Sequence, residues 1–299
     1  MGDVVQLTII VKHIKTYMPE AYVAVVALPG RANVFAGLAD QYWEFRHPFY
    51  WTFEKWDFTF DLAWSRPCCN YLTAPPTKVT ECYYIELCPP LEIPLDPALY
   101  RYEIQPQPEA EAKAEAFVEK IKPFAFCHFH SEVSGEDKHL TAKEGGAVCD
   151  MLIDRGLVPL ILVKGRQDRR ADCLYLDTST GLYDRWGDAQ VLRSVIDRAA
   201  VAITIDSGPG HIAAATDTPT IVVWKKTVCP YCFDPAPNVL HLTPEGWPSL
   251  MFPEFREEAL EAFASDYNVL TYDNLLDCLP TALNTLIDNS FAKGNFYVS

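Results

Sequence analysis

No stretch of this 299-residue chain holds the ~20 consecutive apolar residues that a membrane-spanning helix needs. The opening run MGDVVQLTII has neither the basic start nor the small-residue cleavage site of a secretory signal. Gly2 is not a myristoylation site, because the motif needs Ser or Thr at position 6 and Gln6 stands there. Neither GxGxxG nor GxxxxGKS/T occurs. Basic residues are outnumbered: 25 Lys and Arg face 40 Asp and Glu, for a net charge of −15 and a pI near 4.8. Repulsion from nucleic-acid phosphates or an anionic bilayer then opposes association unless a local patch overcomes it. The densest patch, Lys164 to Arg170, is interrupted by Asp168 and reads as a solvated loop. No repeat at a solenoid period and no low-complexity tract is present. Soluble partners are favoured, with no nucleic acid and no transmembrane segment.

Cysteine, by contrast, is plentiful. Ten cysteines at scattered spacings, without an export signal, fit a reducing cytosol better than a disulfide framework, so a cytoplasmic protein is expected. Cys229-Pro-Tyr-Cys232 is the one close pair with metal-ligand spacing. A closed zinc site needs four ligands, and nothing nearby repeats the pair: Cys278 is distant, and Cys68, Cys69, Cys82 and Cys88 lie in the other half. Structural thiols, and hence no metal and no cofactor, are the expectation, with a metal or redox role for this pair as the alternative.

The length is comfortable for two domains and buries roughly 75% of the unfolded-state surface without staples. Val4 to Tyr17 carries apolar residues at helical spacing and is stopped by Pro19. Ala21 to Leu28 is a nearly continuous apolar run, as in a strand covered on both faces. A helix is expected to begin within Asn33 to Leu38. Tyr42 to Tyr102 is rich in aromatics, proline and cysteine without a period. Its aromatics, Trp43, Trp51 and Trp56 among them, suit core packing or an acceptor groove, and strands are expected at Phe58 to Leu62 and Tyr83 to Leu87.

A Pro-rich connector leading into a charged, alanine-rich helix over Gln105 to Glu119 marks the expected boundary between domains 1–106 and 107–299. Strand and helix then alternate: Phe124 to His128, Ala142 to Arg155, Val158 to Val163, Cys173 to Leu176, Ala189 to Arg198. Further helices are expected near Glu254 to Ala264 and Asn274 to Asp288. The fold class is α/β, two doubly wound domains with a cleft between them.

The densest information lies in Val201 to Trp224. A short apolar strand runs into Asp206-Ser207-Gly208-Pro209-Gly210-His211, then a small-residue helix over Ile212 to Ala215, then a second strand from Thr220. This is a βαβ unit with its chemistry at the first turn. Ligands of open α/β sheets sit beyond the carboxyl ends of strands, where helix N-termini offer N–H groups and partial positive charge. Ser207 can cap the helix and donate a hydroxyl, and the glycines allow close backbone approach, so phosphate or diphosphate is the natural guest. The same residues also suit an ordinary capped turn.

Three segments together resemble glycosyltransferase family 9, the ADP-heptose lipopolysaccharide heptosyltransferases and their relatives. Gly2-Asp3-Val4-Val5, with the helix, Pro19, the apolar strand and Pro29-Gly30, is similar to the family's Gly-Asp turn, helix and second strand. His128 to Leu140 leads from a strand end to Asp137-Lys138-His139. Asp206 to His211, followed by Ala213, Ala214 and Ala215, is similar to Asp-Thr-Gly-x-x-His-x-x-Ala-Ala. The resemblance implies a GT-B fold, with two Rossmann-like domains facing a cleft and the nucleotide sugar held by the C-terminal one. It implies inverting, metal-independent transfer of a heptose-like sugar from a nucleotide diphosphate donor, ADP-linked, to the hydroxyl of a glycan, protein or small-molecule acceptor.

In that reading Asp3 is the general base. Lys138 neutralises the diphosphate, Ser207, Gly208 and His211 hold it, and Asp206 orients the turn that Pro209 and Gly210 complete. Relatives have a strand and a glycine-bearing loop before the Gly-Asp, whereas Met1 directly precedes Gly2, so the N-terminal sheet is expected to lack its first strand. Lys225-Lys226-Thr227 replaces the usual Gly-Pro-Thr, where two lysines either strengthen anion binding or block close approach. Some relatives that glycosylate autotransporter proteins carry a cysteine-bound iron. Only Cys229 and Cys232 match part of that spacing, so the metal is not carried over. The alternatives are a catalytically silent nucleotide-sugar-binding or assembly protein, and a GT-B epimerase or hydrolase.

Overall fold

A computed structural model describes residues 2–44, 56–59, 89–121, 123–131, 138–163, 169–177, 180, 182, 188–225, 233–246, 261 and 265–292. Helix α1 (Gly2–Tyr17) is followed by strand β1 (Ala24–Ala27), a 3-10 turn at Ala32–Phe35 and strand β2 (Gln41–Glu44). β1 and β2 pair in parallel, Ala24 opposite Gln41. The apolar run around β1 is less covered than its composition suggests. Val26 and Leu28 are 38% and 49% exposed, and among the described residues β1 has a strand neighbour on one side alone. The helix expected over 33–38 is a single 3-10 turn, broken where Gly37 takes φ +81°, a left-handed value that ends regular helix.

From residue 108 the alternation expected from the sequence is realised. Helix α2 (Pro108–Val118), β3 (Phe124–His128), α3 (Ala142–Ile153), β4 (Val158–Leu162), β5 (Leu174–Leu176), α4 (Ala189–Ile196), β6 (Val201–Ile205), α5 (Gly208–Ala214), β7 (Thr220–Val223), β8 (Val239–Pro244), β9 (Val269–Tyr272) and α6 (Leu275–Ala292) follow in order. β3 to β9 form one parallel sheet of seven strands in the order β5-β4-β3-β6-β7-β8-β9. The central strands FAFCH, VAITI and TIVV are buried throughout, as a parallel sheet with helices on both faces requires.

The period of two sorts their side chains. Phe124, Phe126, Ala202 and Val222 enter one core beneath α1, α2, α4 and α5, whereas Ala125, Cys127, Ile203 and Val223 enter the other beneath α3 and α6. Helix α4 starts at Asp188, whose carboxylate accepts from the N–H of Gln190 and Val191 at 3.0 and 3.1 Å. Glu111 of α2 accepts from Arg193 at 3.1 Å and Arg198 at 2.5 Å, tying α2 to α4.

The helix expected at Ile212 starts four residues earlier, at Gly208. Pro209 sits in its first turn, where a missing N–H costs nothing and the fixed φ already suits helix. The strand expected at Phe58 is absent at residues 58–59. The remainder of that segment, the expected strand at 83–87, Asp137, Cys229 and Cys232, and most of the expected helix at 254–264 lie outside the described residues. Among the described residues no helix is long and apolar enough to cross a membrane.

Candidate active site

The order of strands locates the site. From β3 the chain steps outward through β4 to β5, then returns to β6 on the other side of β3 and steps the opposite way through β7, β8 and β9. The crevice beyond the carboxyl ends of β3 and β6 is the switch point of the sheet, the place where open α/β folds bind ligands. Two of the three segments singled out in the sequence arrive there. His128 ends β3, Lys138 lies in the loop before α3, and Asp206 and Ser207 directly follow β6.

Lys138 forms an ion pair with Asp206, their side chains 26% and 12% exposed. His128 Nδ1 lies 2.9 Å from Ser207 Oγ. Ser207 donates that hydroxyl to the Ile205 carbonyl at 3.1 Å, so His128 is the donor in the first bond. Ser207 stands at the N-cap of α5 but makes no capping bond, which corrects the expectation from its position. One strand farther out, Lys225 follows Trp224 at the end of β7 and pairs with Glu144 in the first turn of α3.

Beneath this edge α5 packs tightly. A Cβ on Gly210 would lie 3.0 Å from Thr204 Oγ1, 3.1 Å from Phe233 Cζ and 3.2 Å from the Ile205 carbonyl oxygen. Gly210→Ala is therefore expected to cost about 1–3 kcal/mol of stability. Gly146→Ala in α3, where the nearest atom is an Arg170 guanidinium nitrogen at 3.6 Å, should be neutral or stabilising by up to ~1 kcal/mol. Urea unfolding of the two variants checks the contrast.

His211 is 4% exposed. Its ring stacks on Phe233 with centroids 3.9 Å apart and planes at 9°, and tilts against Tyr102 at 5.8 Å. Nδ1 has no hydrogen-bond partner among the described residues. Burial above all, reinforced by surrounding cationic groups, pushes its pKa down to about 3, so the ring is neutral. The imidazole that the resemblance assigns to the diphosphate thus lies inside the fold.

Gly2 closes the other side: a Cβ there would stand 2.6 Å from His211 Cδ2, so α1 can dock only with glycine at this position. Asp3 is the next residue of α1, and its side chain lies outside the described residues. The structure therefore joins the first segment to the third through Gly2 and His211, and the second to the third through Lys138 and Asp206. Gly208 and Pro209 are half-buried at the start of α5. Among the described residues no group of three His, Cys, Asp or Glu is placed to hold a metal ion.

Sequence reasoning overlooked Glu144 and the aromatic pair Tyr102 and Phe233. The spacing Thr141-x-x-Glu144 is a readable capping box. The aromatics carry no local signal, because they reach His211 through the tertiary fold.

Residues 83–231, which contain Lys138 and the whole run from Asp206 to His211, match the family described as Glycosyltransferase family 9 (heptosyltransferase). The chain belongs to glycosyltransferase family 9. Solved structures of the family share its fold. A family 9 glycosyltransferase from Veillonella parvula aligns over 97% of this chain and 95% of its own, with a TM-score of 0.62 at 12% identity. E. coli ADP-heptose lps heptosyltransferase II aligns over 97% and 96%, with a TM-score of 0.61 at 12% identity. E. coli heptosyltransferase WaaC with ADP-2-deoxy-2-fluoro heptose aligns over 89% and 96%, with a TM-score of 0.56 at 13% identity. No curated protein sequence matches the chain.

Proposed function

We propose that this family 9 protein transfers a heptose-like sugar from an ADP-linked donor to an acceptor hydroxyl, with inversion at the anomeric carbon. The observation that carries the reading is the meeting of Lys138, Asp206 and Ser207 at the switch point of the seven-stranded sheet. The donor diphosphate would lie on this edge, in the domain formed by residues 107–299, with residues 1–106 on the acceptor side. Lys138 would leave Asp206 for the diphosphate, doing there the work of a metal ion in other transferases. The Ser207 hydroxyl and the start of α5 at Gly208 would border the same phosphates, with Pro209, Gly210 and His211 forming the packed layer below. Asp3 would take the proton of the attacking hydroxyl from the opposite face.

Calorimetry with ADP and adenosine tests the donor site. A charge-assisted hydrogen bond is worth ~1.5–3 kcal/mol, so Lys138→Met should weaken ADP about 10- to 100-fold and leave adenosine unchanged. Equal ADP affinity in the variant would remove Lys138 from the diphosphate site. A wild-type protein that binds neither ADP nor an ADP-linked sugar would end the donor reading.

A further inference from the structure

Two lysines reach over the carboxyl edge of the sheet, and each is held by a carboxylate, Lys138 by Asp206 and Lys225 by Glu144. With both pairs closed, these four groups sum to zero charge, a poor receptor for a diphosphate. At least one cation must change partner for an anion to settle there.

The four groups are not equally free to move. Glu144 is the third residue of α3 and completes a capping box. Its Oε2 accepts from the Thr141 N–H at 2.8 Å and the Thr141 hydroxyl at 2.9 Å, while its own N–H donates to Thr141 Oγ1 at 3.2 Å. Lys225 uses the other oxygen, Oε1. Lys225 can therefore leave without undoing the start of α3, and Glu144 stays hydrogen-bonded when it does. Burial alone would raise the Glu144 carboxyl, yet the Lys225 ammonium and the two Thr141 donors hold it below the usual glutamate value, so it remains an anion.

The stem of Lys225 is fixed. Trp224 is 1% exposed, its Nε1–H donates to His241 Nδ1 at 3.0 Å, and its carbonyl accepts from the Tyr272 hydroxyl. Lys225 follows β7 and Glu144 begins the helix after β3, and β6 lies between those two strands. Their ion pair accordingly crosses the end of β6, the strand that delivers Asp206 and Ser207.

We infer that Lys225 is a second cation for the anionic part of the donor, parked on Glu144 in the free protein and transferred to the phosphate when the ligand arrives. This inference rests on the donor reading above. It assigns Glu144 the role of a positioning residue that sets affinity through Lys225.

Inorganic pyrophosphate, which probes the anion site independently of the nucleotide base, tests it by calorimetry. Glu144→Gln is the informative variant, because glutamine also serves in a capping box and the start of α3 survives. Glu144→Gln should bind pyrophosphate about three- to tenfold more tightly than wild type, and Lys225→Ala about tenfold more weakly. The double variant should match Lys225→Ala within about twofold, since Glu144 then has no cation to park.

An unchanged or weakened Glu144→Gln protein would overturn the inference. So would a Glu144→Gln gain that persists in full without Lys225, because Glu144 would then repel the anion directly. If wild type binds ADP and pyrophosphate while these variants behave alike, the inference alone falls. If wild type binds neither, the donor reading falls and takes the inference with it.

Discussion

Asp3→Asn is expected to lower kcat for sugar transfer about a thousandfold while the Kd for ADP stays within about twofold, since a positioned general base contributes ~10²–10⁴ in rate. Asparagine keeps the size and loses the ability to take a proton. The groups proposed to hold the donor, Lys138 and Ser207, belong to the edge of the seven-stranded sheet and are untouched by the change. Asp3 is in the first turn of α1, directly after Gly2, which abuts His211. The substitution thus falls where α1 meets α5.

Single-turnover release of sugar from ADP-heptose, with and without acceptor, measures the first quantity and calorimetry the second. A kcat within tenfold of wild type would remove Asp3 as the base. Donor binding without turnover in the wild type would favour the catalytically silent alternative.

The second large effect is on stability in acid. His211 and His241 are both buried, and burial pushes each pKa down to about 3. An unfolded histidine titrates near ~6.5, so between these values the unfolded chain binds protons that the folded chain refuses. The stability is therefore fully present above pH ~6.5 and lost as pH falls, at ~1.4 kcal/mol per pH unit for each histidine. Two such residues together remove about 3 kcal/mol between pH 6.5 and pH 5.

His241 has a local reason to resist protonation, because its Nδ1 lone pair accepts from Trp224 Nε1–H at 3.0 Å. His241→Gln, which retains an acceptor, should roughly halve the slope of unfolding free energy against pH. A profile flat from pH 7 to pH 5 in the wild type would contradict the buried, neutral state of both rings.

The alternation of strand and helix after residue 108 was legible because each central strand is a continuous apolar run bounded by polar turns. Phe124–His128 and Val201–Ile205 come out with the ends the sequence suggests. The start of α5 was not, since Gly-Pro-Gly reads as a turn until Pro209 is seen to occupy a first helical turn. His211 reads as a ligand-binding side chain beside glycines and alanines. What encloses it are Phe233, Tyr102 and Gly2, distant in sequence and brought up by strands and helices whose packing no local pattern encodes. The same holds for Lys225 and Glu144, 81 positions apart. Charge partners across a sheet edge depend on strand order, and strand order is invisible in composition.

The tight seat of α5 has a further bearing on how the Asp-Ser-Gly-Pro-Gly-His run should be understood. Its first members, Asp206 to Pro209, are half-buried at the sheet edge, while Gly210 and His211 are mortared into Thr204, Phe233 and Gly2. What scans as one recognition signature is thus half masonry. Damage to its inner half would show itself as less folded protein, with the surviving molecules gripping their guest as firmly as before.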